Sequence, residues 1–152
     1  MQTIGLIGGM SWESSIEYYR LINEEVRERL GGLHSARSLM VSVDFAEIEI
    51  LQHEGRWDEA AEAMVQAARQ LQRGADFVVL CTNTMHRVAG AIEGGVDIPF
   101  LHIADATADR IKAAGLRRVG LLGTRFTMEE AFYRGRLESL HGLQVLMPGP
   151  EE

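Results

Sequence analysis

A thiol, two hydroxyls, a carboxamide and an imidazole stand together in the stretch VVLCTNTMH, residues 78–86. Cys81 is the only cysteine of the chain, and Thr82, Asn83, Thr84 and His86 follow it. A deprotonated cysteine is a nucleophile or a base, and an asparagine amide donates two hydrogen bonds to an anion. Side-chain parity along a strand separates the first two residues. Cys81 shares a face with Phe77 and Val79, whereas Thr82 shares one with Val78 and Leu80 and stands nearer the strand end. A buried free cysteine acts as a small hydrophobe, so position favours packing for Cys81. Asn83 and Thr84 read in two ways. They cap the helix that opens at 84–86, or they join its free N–H groups in holding a small anion such as a carboxylate. His86 also has two readings, tuning that site or lying on the helix surface. His102, at a strand end before Ile103, reads as structural.

The surrounding pattern alternates short β-rich apolar runs with longer amphipathic segments. TIGLIG (3–8), SLMVSVDF, DFVVLCT, IPFLHI and RRVGLLGT read as strands, with LQVLMP a candidate sixth. SWESSIEYYRLINEEVRERLGG reads as a helix with Ser11 at its N-cap, Glu13 in its first turn and two glycines closing it. Residues 57–73 carry a helical stripe of Ala60, Ala61, Met64, Val65, Ala68 and Leu71, and a further helix is expected near 127–140. This βαβ alternation predicts an α/β fold, a parallel sheet flanked by helices on both faces in three layers. In such sheets ligands bind beyond the carboxyl ends of the strands. Those ends here supply Gly8, Gly9, Met10 and Ser11, then Asp44, Thr82 to Thr84, and Thr124.

Several chemistries lack their residues. The sequence has 15 basic and 22 acidic residues, a net charge of −7, which argues against a nucleic-acid or anionic-membrane partner. No long apolar run or basic leader is present, so neither a membrane span nor a signal peptide is expected and a cytoplasmic location is. One cysteine provides no intrachain disulfide. His34, His53, His86, His102 and His141 are not spaced as metal ligands, so no metal is expected. Gly5, Gly8 and Gly9 do not make a dinucleotide fingerprint, and no phosphate-binding loop motif occurs. The single lysine, Lys112, lies in the helical run ADRIKAAGLRR, a poor position for a Schiff base. No cofactor is expected.

The chain also repeats itself. IGLIGGMSWESSIEYYR (4–20) and VGLLGTRFTMEEAFYR (119–134) share a Gly-x-x-Gly strand end, a polar loop, an acidic helix start and a Tyr-Arg pair. Gly5 and Gly8 recur as Gly120 and Gly123. The expected division is a first α/β domain over 1–115 and the opening β-α-β portion of a second, incomplete one over 116–152.

On these residues the chain resembles the aspartate/glutamate racemase family, in particular its broad-specificity, cofactor-independent amino-acid racemases. The similar stretches are TIGLIGGMSWESSIEYYRLINE, GGLHSARSLMVSVDF, LCTNTMH, PFLHIADAT and LLGTRFTMEEAFYRGRL. The resemblance implies two pseudo-symmetric α/β domains and a small amino-acid substrate. It implies removal of the Cα proton on one face and its return on the other by two acid/base groups, commonly cysteines. Carried over by position, Thr82 takes the place of the first catalytic cysteine, so that Cys81 stands one residue early. Asn83 and Thr84 match the grip on the α-carboxylate, and Met10, Gln52 and Thr124 match substrate contacts, with Ser11 beside Met10. The second cysteine motif of the family is absent, so little or no racemisation is expected of these 152 residues alone. A non-catalytic carboxylate-binding α/β module and a related-family isomerase are the alternatives. Exposed apolar residues around 119–122 and 143–146 are expected to favour a homodimer.

Overall fold

The computed structural model of the chain describes residues 1–149, apart from the Arg125 side chain, so the last three residues of the expected second domain lie outside the described residues. The chain parts into two compact units, Met1–Thr82 with Val88–Leu101, and Asn83–Arg87 with the residues from His102 onward.

The first unit is built on a four-stranded parallel sheet. Strand β1 (Thr3–Gly8) is followed by helix α1 (Trp12–Leu30), β2 (Arg37–Ser42), α2 (Phe45–His53), α3 (Trp57–Leu71) and β3 (Phe77–Leu80). A single 3-10 turn, Thr84–Val88, leads to α4 (Ala89–Gly95) and the short β4 (Phe100–Leu101). The strand order is β2-β1-β3-β4, with every pairing parallel. Leu6 and Ile7 are successive residues pointing to opposite faces of β1, and both are wholly buried. The sheet is therefore covered on both sides, as a parallel sheet requires. Gly5 looks toward α3, where an added Cβ would stand 3.0 Å from Ala75 and 3.2 Å from Leu71. Gly8 looks toward α1 and would meet Ser15. Helix α3 buries Ala60, Met64, Val65, Ala67, Ala68 and Leu71, close to the stripe read from the sequence.

Two elements depart from the expectation. Helix α2, capped by the Asp44 carboxylate on Ala46 N–H, forms where the sequence suggested only a strand end. The helix expected near 127–140 is two short ones, α6 (Arg125–Glu129) and α7 (Arg134–Ser139), because Glu130 is extended between them.

In the second unit, α5 (Ile103–Ala113) precedes β5 (Arg118–Gly120), and β6 (Gln144–Leu146) follows α7. The two strands pair in parallel. A small core gathers Ala104 and Ala108 of α5 with Tyr133, Leu137, Leu143 and Val145. Asp105 of α5 accepts a bidentate contact from Nε and Nη2 of Arg136, each at 2.7 Å, and its Oδ1 lies 2.8 Å from His141 Nε2. The packing of α5 against α7 explains why the second unit takes in α5, which the sequence division at 115 assigned to the first.

Candidate functional site

The strand order contains a reversal. The chain moves from β1 out to β2, then returns to lay β3 on the other side of β1. Such a switch point opens a crevice beyond the carboxyl ends of the two flanking strands, where α/β sheets bind ligands. The flanking ends here are Gly8-Gly9-Met10-Ser11 after β1 and Cys81-Thr82 after β3. Their register is fixed by Ile7 pairing with Leu80 and by the Cys81 N–H donating to Ile7 O at 2.9 Å.

Small hydroxyls from α1 lock these ends. Ser15 Oγ accepts the buried Gly9 N–H at 2.9 Å. Ser14 Oγ donates to the Cys81 carbonyl at 2.6 Å, and that carbonyl belongs to the peptide that carries the Thr82 nitrogen. Gly9 itself is obligatory: its φ is +96°, and a Cβ there would collide with Val43 O. The sequence reading missed Ser14 and Ser15. Their signal was two small polar residues on the sheet-facing side of α1's first turns, where apolar ones would pack.

Ser11 occupies the N-cap position of α1 in extended conformation but makes no side-chain capping bond. The Ser14 and Ser15 hydroxyls donate to the Ser11 carbonyl instead. The cap expected of Ser11 is therefore not made, and its own hydroxyl is unengaged among the described residues. The Met10–Ser11 peptide is cis and Met10 is buried. Gln52 is half-buried in the last turn of α2, so the length of that helix separates it from the end of β2.

Cys81 and Thr82 differ sharply in setting. Cys81 is 1% exposed, and burial pushes its thiol up to about 12. A thiol in that state is neutral near pH 7 and has no access to a ligand. Thr82 is only half-buried.

In the second unit, Asn83 is exposed and Thr84 half-buried. The expected helix begins as a 3-10 turn of five residues, so an anion there would rely on local donors rather than on a long helix dipole. The surface reading of His86 does not hold, since His86 is 2% exposed and its Nε2 accepts Ile103 N–H at 3.3 Å. His102 Nδ1 accepts Ala104 N–H at 3.1 Å as the cap of α5, the structural role expected of it. Two imidazoles thus satisfy the first N–H groups of α5, with ring centroids 4.5 Å apart. An acceptor nitrogen must be unprotonated, and burial first, then His86 and Arg136, lowers the His102 pKa to about 3. These bonds tie residues 83–87 into the second unit. Thr124 caps α6, its hydroxyl 3.2 Å from that of Thr127 and accepting the Thr127 N–H at a long 3.5 Å.

Among the described residues, no group of three or more His, Cys, Asp or Glu could hold a metal ion, and no helix is long and apolar enough to cross a membrane. Lys112 Nζ lies 3.1 Å from His141 Nδ1 in an exposed setting.

The family model for Asp/Glu/hydantoin racemases matches residues 7–152. Over 90 residues the chain is 32% identical to the broad specificity amino-acid racemase RacX of Bacillus subtilis (strain 168), which is 59% of this chain and 39% of that protein. Among solved structures, a candidate Asp/Glu racemase from Yersinia pestis superposes with a TM-score of 0.96 at 56% identity. An aspartate racemase homologue from Pyrococcus horikoshii OT3 superposes at 0.90 with 35% identity. In both cases 99% of this chain covers 66% of the other. The Picrophilus torridus aspartate racemase, at 21% identity and a TM-score of 0.77, shares the fold. The chain thus spans 39% of the curated relative and 66% of the solved ones.

Proposed function

The chain belongs to the Asp/Glu/hydantoin racemase family, and from that premise we propose that it carries one half of a cofactor-independent amino-acid racemase site. Thr82 is the acid/base group on one face of the substrate Cα. The observation that carries this reading is the placement of Thr82 at the switch point between β1 and β3, beside a thiol that burial keeps protonated. Asn83 and Thr84 hold the α-carboxylate, and donors there stabilise the negative charge that develops as the Cα proton leaves. Met10, Ser11, Gln52 and Thr124 contact the substrate. A threonine hydroxyl is a weak base near neutrality, so Thr82 needs activation by its surroundings. Proton return on the opposite face needs a second group, and these residues hold no second cysteine for it. The substrates are aspartate, glutamate or other polar amino acids, and the setting is cytoplasmic.

Titration with amino acids and Cα–H exchange in D₂O followed by proton NMR test this. The expected result is binding of acidic amino acids that Asn83→Ala abolishes, with little or no exchange by these 152 residues alone. Robust exchange that survives Thr82→Ala would remove Thr82 from its role, and the absence of amino-acid binding would overturn the substrate class.

The family description also covers hydantoin racemases, which favours a second reading. A hydantoin has no free carboxylate, so its binding would persist in Asn83→Ala. Binding of amino acids without exchange, even when the relatives' remaining third is supplied, would favour a non-catalytic carboxylate-binding module.

A further inference from the structure

The turns that follow α5 and α7 close on a hollow of about 380 Å³ in the second unit. Lys112, Arg117 and His141 line it together with Leu116, and no carboxylate does. Lys112 is the only lysine of the chain. Its place in the last turn of α5 suits a positive charge against the helix dipole. The dipole does not account for the row of bonds behind it. Lys112 Nζ lies 3.1 Å from His141 Nδ1, and His141 Nε2 lies 2.8 Å from Asp105 Oδ1. Arg136 in turn clamps Asp105 through two contacts of 2.7 Å.

These bonds assign the protons. Arg136 holds the Asp105 carboxyl below the usual carboxylate range, and a carboxylate only accepts hydrogen bonds. His141 Nε2 therefore carries a hydrogen. Nδ1 of the neutral ring is then an acceptor, and Lys112 is its donor. A nucleophile bonded to a base that a third group orients is the arrangement that activates side chains toward acyl groups. Arg117 brings a different capacity. Its side chain has no hydrogen-bond or ion-pair partner among the described residues, and a guanidinium fork matches a phosphate.

We propose that Lys112 is an acylation site fed by small acyl phosphates, with His141 as base, Asp105 as the orienting carboxylate and Arg117 as the seat of the phosphate. Lys112 gives its ammonium proton up to water, and the amine lone pair attacks the carbonyl carbon. A C–N bond forms, the C–O bond to phosphate breaks, and inorganic phosphate leaves with that electron pair. The proton that the attacking nitrogen sheds passes to His141 Nδ1 and on to water, the Asp105 charge offsetting the imidazolium. A neutral amide then stands in place of the ammonium group. The site lies wholly in the second unit, and the proposal does not depend on the racemase reading.

Peptide mass mapping of the folded chain after exposure to acetyl phosphate tests it, with the urea-unfolded chain as reference and circular dichroism to verify each variant. Lys112 is expected to be acetylated about tenfold or more faster in the folded chain. His141→Gln is expected to bring that rate down to the level of the unfolded chain. Arg117→Ala is expected to slow the reaction with acetyl phosphate about tenfold more than that with the neutral p-nitrophenyl acetate. Equal rates in the folded and unfolded chains would overturn the proposal, as would a folded His141→Gln variant that reacts like the unaltered chain. Equal slowing of both reagents by Arg117→Ala would overturn the acyl phosphate as donor.

Discussion

Ile7 and Leu122 hold the same place in the two copies of the strand–loop–helix pattern, yet Ile7 is wholly buried and Leu122 is 79% exposed. The difference lies in the neighbours. Strand β1 pairs on both edges and is covered by α1 on one face and α3 on the other. Strand β5 pairs with β6 alone among the described residues. The loops diverge for the same reason. Where Gly9 follows β1, the adjacent Val43 carbonyl leaves no room for a Cβ and the backbone takes a positive φ. Thr124, at the matching place after β5, has an ordinary extended backbone and uses its side chain to cap α6. An identical motif can thus encode a glycine demanded by a neighbouring strand or a threonine free to cap.

The comparison breaks if paired substitutions cost the same. Ile7→Ala is expected to lower unfolding free energy by about 3 kcal/mol through cavity formation. Leu122→Ala should stay within about 0.5 kcal/mol; urea denaturation of both variants decides. Next in size, Gly9→Ala is expected to cost about 2–3 kcal/mol through strain and overlap. Thr124→Ala should cost about 1 kcal/mol through loss of a cap, and equal thermal shifts would dissolve the contrast between the loops.

The last effect is specific to the second unit. His102 stays neutral in the fold down to about pH 3, against an ordinary value of 6.5. Between those values the unfolded chain binds a proton that the fold refuses. Stability is therefore complete above about pH 6.5 and falls on acidification, by at most about 1.4 kcal/mol per pH unit. Asp105, held below the usual carboxylate range chiefly by Arg136, adds a loss of the same sign at lower pH. His102→Asn keeps a good cap without the titrating ring, so its denaturation midpoint should vary less between pH 7 and 5. An unchanged slope would assign the acid sensitivity elsewhere.

Strand β1 was legible to the residue, because an unbroken apolar run between polar ends has one reading. Position also favoured packing for Cys81, which is buried, even though the residues that share its parity, Phe77 and Val79, are less buried than Val78 and Leu80. Helix α2 escaped because AEIEI alternates with period two, imitating a strand, and only Ile48 of that helix is buried. The supports of the candidate site escaped for a different reason. Ser14 meets Cys81 across 67 positions, and His86 meets Ile103 across 17. No local pattern records such bonds. Sequence periodicity reports which side of an element faces inward, whereas a hydroxyl aimed at a distant carbonyl is visible only once the chain has closed on itself.

Cys81 has a use that its silence in the chemistry makes possible. It is the sole thiol, sealed at the end of the central β3, one residue from the hydroxyl proposed to work. An alkylating reagent can reach it only when that strand end comes apart, so the labelling rate counts local openings of the first unit. The protein therefore carries a built-in clock for the breathing of its own crevice, readable by mass alone and without any engineered probe.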